Sequence, residues 1–194
     1  MRFSIFLIFA VVALALERGL RVLLSLPWGP MGDAAPSFLL VLGVFIALSA
    51  PPYHVYWAML LLGLMVDLST TIAPTSGPDV VIAGPHALGF LLGGWVVVQL
   101  RNMMFREALT TMVVMTLAAG LFVTLAVMAI LTLRGLPFLP TDAVPQWRTA
   151  DELLQRLLNL SYTGVLALPL GWSLQRSRPL WRFAATKGSV RTLR

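Results

Sequence analysis

The sequence has no cysteine, so disulfides and thiolate chemistry are excluded. Charge is also scarce. Asp, Glu, Lys and Arg make up 11% of the 194 residues, while 58% are hydrophobic. A soluble globular domain carries roughly 25% charged residues, so this chain has too little polar surface to coat itself in water. There is no internal repeat, no low-complexity stretch, no period-two alternation of strand type and no glycine-rich phosphate loop. Histidine occurs only at positions 54 and 86.

What is present is a series of apolar runs. A helix needs about 20 mostly apolar residues to cross the hydrocarbon core. Six spans are predicted, over residues 2–26, 37–50, 53–72, 85–100, 107–133 and 152–175. They use nearly the whole chain and leave no room for a separate water-soluble domain. Arg2, the apolar run 3–16 and Ala13-Leu14-Ala15 imitate a secretory signal, but the segment reads as the first span. The second span is short, ended by Pro51-Pro52, and is a candidate for an incomplete crossing. The fifth is long enough to require tilt. Proline and glycine mark the connections, in Pro27-Trp28-Gly29-Pro30, in residues 73–84 and in residues 135–145. A bilayer admits only helices or closed barrels, and these runs are too long and apolar for barrel strands. The expected fold is an all-α polytopic bundle over residues 1–182, followed by a basic tail over 183–194.

The basic residues orient the bundle. With the N-terminus in the cytoplasm, the inner segments carry Arg2, Arg101, Arg106, Arg176, Arg178, Arg182, Lys187, Arg191 and Arg194, nine of the fourteen basic residues. Glu107 is the one acidic residue beside them. Six spans return the C-terminus to the same side. Arg176, Arg178 and Arg182 are placed against anionic lipid headgroups, where each is worth about 1 kcal/mol. Enforcing topology accounts for the tail equally well. Nothing resembles a nucleic-acid-binding module.

Asp67 is the residue best placed to carry chemistry. It lies in Leu64-Met65-Val66-Asp67-Leu68 within the third span, where an Asp costs about 2.5–3.5 kcal/mol at a helix centre. Such a residue faces the bundle interior with a partner. Proton relay, ion ligand and inter-helix lock are the functional readings, and acceptance of hydrogen bonds from neighbouring helices is the structural one. His86 and the hydroxyls of Ser69, Thr70 and Thr71 are the nearby candidates. His54 and His86 fall on opposite faces, a bilayer of roughly 30 Å apart. His86, Asp67 and Asp79 lack metal-ligand spacing, and no cofactor is implied. Aspartyl proteolysis needs two carboxylates sharing a proton, and serine chemistry needs a base beside its nucleophile. Neither pattern occurs, so the chain reads as non-enzymatic.

Helix association is better supplied. Gly89 and Gly93 are four apart and followed by Gly94; Ala83 and Ala87 precede them at the same spacing. Gly120 and Thr124 in the fifth span and Ala167 and Gly171 in the sixth have the same spacing. Small residues four apart let helices approach closely, within the chain or with a partner. Pro169 is expected to bend the sixth span. Trp28, Trp57, Trp147, Trp172 and Trp181 fall near predicted interfaces and read as anchors.

The third and fourth spans contain Gly63-Leu64-Met65-Val66-Asp67-Leu68-Ser69 and then Gly84-Pro85-His86-Ala87-Leu88. This resembles the signature of the MreD family of rod-shape-determining membrane proteins, Gly-Leu-x-x-Asp-Leu ending one span and Gly-x-x-Ala-Leu opening the next. The last span, Thr163-Gly164-Val165-Leu166-Ala167-Leu168-Pro169-Leu170 followed by arginines, is also similar. The resemblance covers residues 36–182, with motif support in the hairpin and last span. The family joins its hairpin by a short turn, whereas here residues 70–83 intervene, with Pro74, Pro78 and Asp79.

The resemblance implies a non-catalytic subunit of the bacterial elongation machinery. Its partners would be an MreC-like protein, a RodA-type glycosyltransferase with its transpeptidase, the MreB filament and membrane lipids. The family fold is also similar to the substrate-binding subunits of energy-coupling-factor vitamin transporters, which supplies a rival function. Gly63, Asp67, Gly84, His86, Gly89, Gly93 and Pro169 are the expected helix-packing or partner-binding positions. A solute-binding subunit needs a pocket with convergent polar groups. Apart from threonines, the sequence places only Asp67, Gln99, Asn159, Ser161 and Tyr162 at depth, and this scarcity favours assembly.

Overall fold

The computed structural model describes residues 3–27, 33–70, 83–103, 109–134 and 149–181. The chain is helical: α1 (Phe3–Gly19), α2 (Arg21–Leu24), α3 (Phe38–Ser49), α4 (Pro52–Ser69), α5 (Pro85–Leu100), α6 (Leu109–Arg134), α7 (Thr149–Arg176) and α8 (Arg178–Trp181). Between α2 and α3, β1 (Leu26–Pro27) and β2 (Asp33–Ala34) form a two-residue antiparallel ladder, pairing Leu26 with Ala34 and Pro27 with Asp33. Each predicted span contains a helix, of 12 residues in the second and 17 in the first. The first span corrects in detail, because α1 ends at Gly19 and Leu20 interrupts the helix at φ −91°, ψ 0°. Glycine is a poor interior helix residue, which accounts for the break there.

Proline and capping chemistry set the other boundaries. Ser37 caps α3, its Oγ accepting from the Leu40 N–H. Pro52 and Pro85 each occupy the first turn of a helix, where the missing N–H costs nothing. α7 continues through Pro169. The ring lies on an exposed face, where the Val165 carbonyl loses its helical donor.

The core centres on α3, which is buried from Phe38 to Leu48 and contacts α1, α4, α5, α6 and α7. A helix apolar on every side belongs in a core. Its 12 residues span about 18 Å at 1.5 Å per residue, well short of a hydrocarbon core of roughly 30 Å. Around it, α5 packs between α4 and α6, and α7 packs on α6.

The five surrounding long helices turn apolar stripes outward. They include Leu7 and Val11 on α1, Trp57, Leu64 and Leu68 on α4, Leu88, Leu92 and Trp95 on α5, Val114, Leu117, Leu121 and Leu125 on α6, and Val165, Leu168 and Trp172 on α7. Among the described residues, two helical segments, Leu109–Leu133 and Leu153–Arg176, are long and apolar enough to cross a membrane.

The aromatic anchors divide. Trp57 and Trp172 are exposed, whereas Trp28 and Trp147 lie outside the described residues. Trp181 corrects: it is 0% exposed, stacked near Phe9 (centroids 4.8 Å apart) and Phe45 (5.5 Å), with Nε1 donating to Ser177 Oγ at 3.0 Å. The short α8 folds it back onto α1 and α7. Its large apolar ring is worth more in the core than at an interface.

Candidate functional site

Asp67 sits in the last turn of α4 and is 2% exposed. Its carboxylate receives every backbone N–H available at the start of α5. Oδ2 accepts from Gly84 (2.8 Å) and Ala87 (3.1 Å), and Oδ1 accepts from His86 N–H (3.1 Å). Pro85, between them, has no N–H to satisfy. The His86 ring adds Nδ1 at 2.8 Å from Oδ1. One carboxylate thus caps a helix to which it does not belong, and its charge faces the positive end of that helix. The Ser69 and Thr70 hydroxyls do not join it. Both donate to the Val66 carbonyl, at 3.1 and 2.8 Å, and both accept from Arg18 Nη2, at 2.8 and 3.0 Å. Thr71 and Asp79 lie outside the described residues.

Glycine makes this joint possible at two positions. Gly84 has φ +125°, a backbone conformation that side chains disfavour, and it turns the chain into α5. Gly63 faces the same helix start, and a Cβ there would lie 2.5 Å from the His86 carbonyl oxygen and 2.6 Å from Ala87 Cα. Gly63, Asp67, Gly84, His86 and Ala87 therefore form one physical unit. Gly89 and Gly93 instead face α6, against Val123 and Ala119. That small-residue face is consumed by internal packing.

Charged side chains close other helix ends in the same way. Glu17 Oε2 accepts from Ser37 Oγ (3.2 Å) and Leu39 N–H (3.1 Å) at the start of α3. At the far end, Arg101 Nη1 donates to the carbonyls of Ala47 (2.9 Å) and Ala50 (2.6 Å). α7 secures the approach to α3, with Asn159 Oδ1 accepting from Ala35 N–H and Thr163 Oγ1 accepting from Ser37 N–H, each at 3.0 Å. The signs match the helix dipole at each end.

Beside the joint is a cavity of about 260 Å³, where α1 and α4 end and α3 and α5 begin. Glu17, Arg18, Arg21 and Arg156 bring charge to it, and His86, Ser37, Thr70, Thr124, Asn159 and Thr163 add polar groups. Leu40, Phe90, Val123 and Leu160 supply apolar wall. Glu17 and the arginines flank the apolar runs in sequence; the fold gathers them around one end, where Glu17, Arg18 and Arg156 are partly buried and Arg21 is exposed, while Gln99 and Ser161 are exposed elsewhere.

Of the arginines assigned to headgroups, Arg176 is exposed with its guanidinium 6.0 Å from the Trp172 ring centroid. Arg178 is half-buried, and Arg182 lies outside the described residues. Among the described residues, no three His, Asp or Glu side chains converge as metal ligands. Compared with protein-family models, curated proteins and solved structures, the chain matches none.

Proposed function

We propose that this chain is a multi-pass protein of a bacterial inner membrane, with six helices embedded in lipid and both termini cytoplasmic. We further propose that it is a non-catalytic assembly subunit of the cell-elongation complex. In that role it helps hold an MreC-like protein, a RodA-type glycosyltransferase and its transpeptidase together, with MreB beneath them. The supporting observation is the joint itself: the residues that carry the MreD-like signature, Gly63, Asp67, Gly84 and Ala87, meet at one helix-to-helix contact. The outward apolar stripes suit lipid and partner helices alike. Because Gly89 and Gly93 are committed to α6, partners would bind the outward stripes of the surrounding helices.

The cavity favours a second reading, that of a solute-binding transporter subunit, since it gathers polar groups from several helices. Its volume lies just under the roughly 300 Å³ at which pockets for drug-sized ligands begin, which weighs against a vitamin-sized substrate. Affinity purification of the full-length chain in mild detergent separates the two. Retention of an MreC-like protein is expected. Retention of a pair of transporter ATPases instead, or of neither by well-folded protein, would overturn the assembly reading.

A further inference from the structure

Three polar side chains that line the cavity each keep a hydrogen-bonding atom unused. The first is His86 on α5, whose side chain is 22% exposed. Its Nδ1 is bonded to Asp67 Oδ1, an acceptor, so Nδ1 carries the proton and Nε2 of the neutral ring is left to accept. Among the described residues nothing donates to Nε2. The second is Thr124 on α6, which is 7% exposed. Two other buried helical threonines return their hydroxyls to the carbonyl one turn back, Thr116 to Met112 and Thr163 to Asn159, both at 2.7 Å. The Thr124 hydroxyl makes no such bond, and no other with a described residue. The third is Asn159 on α7. Its Oδ1 accepts from Ala35 N–H, which fixes the amide and leaves Nδ2 as a donor.

Two of these atoms are aimed by the fold's own bonds, His86 by Asp67 and Asn159 by Ala35, so the site is set before anything enters it. Buried polar atoms without partners in a native fold mark a place for water or a ligand. Water serves only the polar side, because Leu40, Phe90 and Leu160 face the same space. The cavity volume of about 260 Å³ equals roughly nine waters, room for one small ring and a polar head. Packed helices lie about 8–10 Å apart, so a head that meets α5, α6 and α7 needs its donor and acceptor on separate atoms. An amide has that arrangement, with N–H donors and a carbonyl acceptor.

We propose that this cavity binds a small uncharged amide carried on an apolar ring. Its N–H donates to His86 Nε2, its carbonyl accepts from Asn159 Nδ2 and the Thr124 hydroxyl, and its ring lies against Leu40, Phe90 and Leu160. The inference does not depend on the elongation-complex reading, because it concerns what occupies the bundle rather than what surrounds it.

The test uses the purified full-length chain in mild detergent with benzamide, followed by saturation-transfer NMR and thermal shift against detergent alone. Benzamide is expected to bind saturably and to raise the melting temperature. Thr124→Val, which keeps the shape and removes the hydroxyl, and His86→Ala are each expected to weaken binding about three- to ten-fold, the scale of one neutral hydrogen bond. Thr116→Val makes the same change in a buried threonine outside the cavity and should leave binding unchanged. His86 also contacts Asp67, so Thr124→Val keeps the test decisive if His86→Ala fails to fold. Absence of saturable binding, equal binding of toluene, tighter binding of benzoate, or undiminished affinity in Thr124→Val would overturn the proposal.

Discussion

Replacing Asp67 with leucine should separate insertion from folding. The substitution removes four interactions at once: three backbone N–H groups and the His86 ring lose their acceptor. Each hydrogen bond to a charged group contributes about 1.5–3 kcal/mol, and a buried donor left unpaired costs about 1–3 kcal/mol. These terms overlap, so a loss of about 4–6 kcal/mol is expected, much of it from the stranded N–H groups. Asp67→Asn keeps the shape but turns one acceptor into a donor facing other donors, and should lose about 2–3 kcal/mol. His86→Ala removes only the ring contact and should lose about 1–1.5 kcal/mol.

The effect on insertion runs the other way. An Asp within a span costs about 2.5–3.5 kcal/mol to insert, so the leucine variant should reach the membrane at least as well as the parent. For a chain of this length, 1 kcal/mol corresponds to about 2–4 °C. Thermal unfolding in detergent should therefore fall by roughly 10–20 °C for Asp67→Leu, with the membrane-inserted amount undiminished. A leucine variant melting within about 2 °C of the parent would refute the view that this carboxylate secures the α4–α5 joint.

Two glycines of the joint should fail for different reasons. Gly63→Ala drives a methyl group into the backbone of His86 and Ala87, which cannot yield, and should cost about 1–3 kcal/mol or more by forcing α4 and α5 apart. Gly84→Ala has open space around its Cβ, so its cost should be backbone strain of about 1–2 kcal/mol; denaturant titration of both variants checks the order. The caps of α3 should act independently. Glu17→Gln and Arg101→Gln are each expected to lose about 1–2 kcal/mol, and their double variant to lose the sum within about 0.5 kcal/mol. Strong non-additivity in the same titration would show that the two ends of α3 are coupled.

Much of the helical layout could be read from the sequence, because its punctuation is local. Pro51-Pro52, Pro85 and Ser37 act on the backbone beside them, and the helix ends fall there. The pairing of Asp67 with His86 was legible for a related reason, since an acid within an apolar run must find a donor and the next helix starts with one. The placement of α3 was not legible. Lipid and a protein core select the same apolar side chains, so Phe38 to Leu48 reads alike in either setting. The backbone share of the Asp67 cap was hidden too, because N–H groups leave no mark in a sequence. Arg18, Arg101 and Arg156 look like flanking charges until the fold supplies Ser69 and Thr70, the carbonyls of Ala47 and Ala50, and a cavity. Trp181 misled because a tryptophan beside arginines suits a headgroup region as well as a deep aromatic cluster.

The burial of α3 has a consequence for how the protein is made. Of the five helices that enclose it, only α1 precedes it along the chain, and α5, α6 and α7 emerge well after it. During synthesis, residues 38–49 must wait in provisional surroundings, with the stopper at Arg101 and the plug at Trp181 still to come. Final maturation is thus a late, concerted event that needs the C-terminal third of the polypeptide, and chains cut short before α7 would retain an unfinished interior.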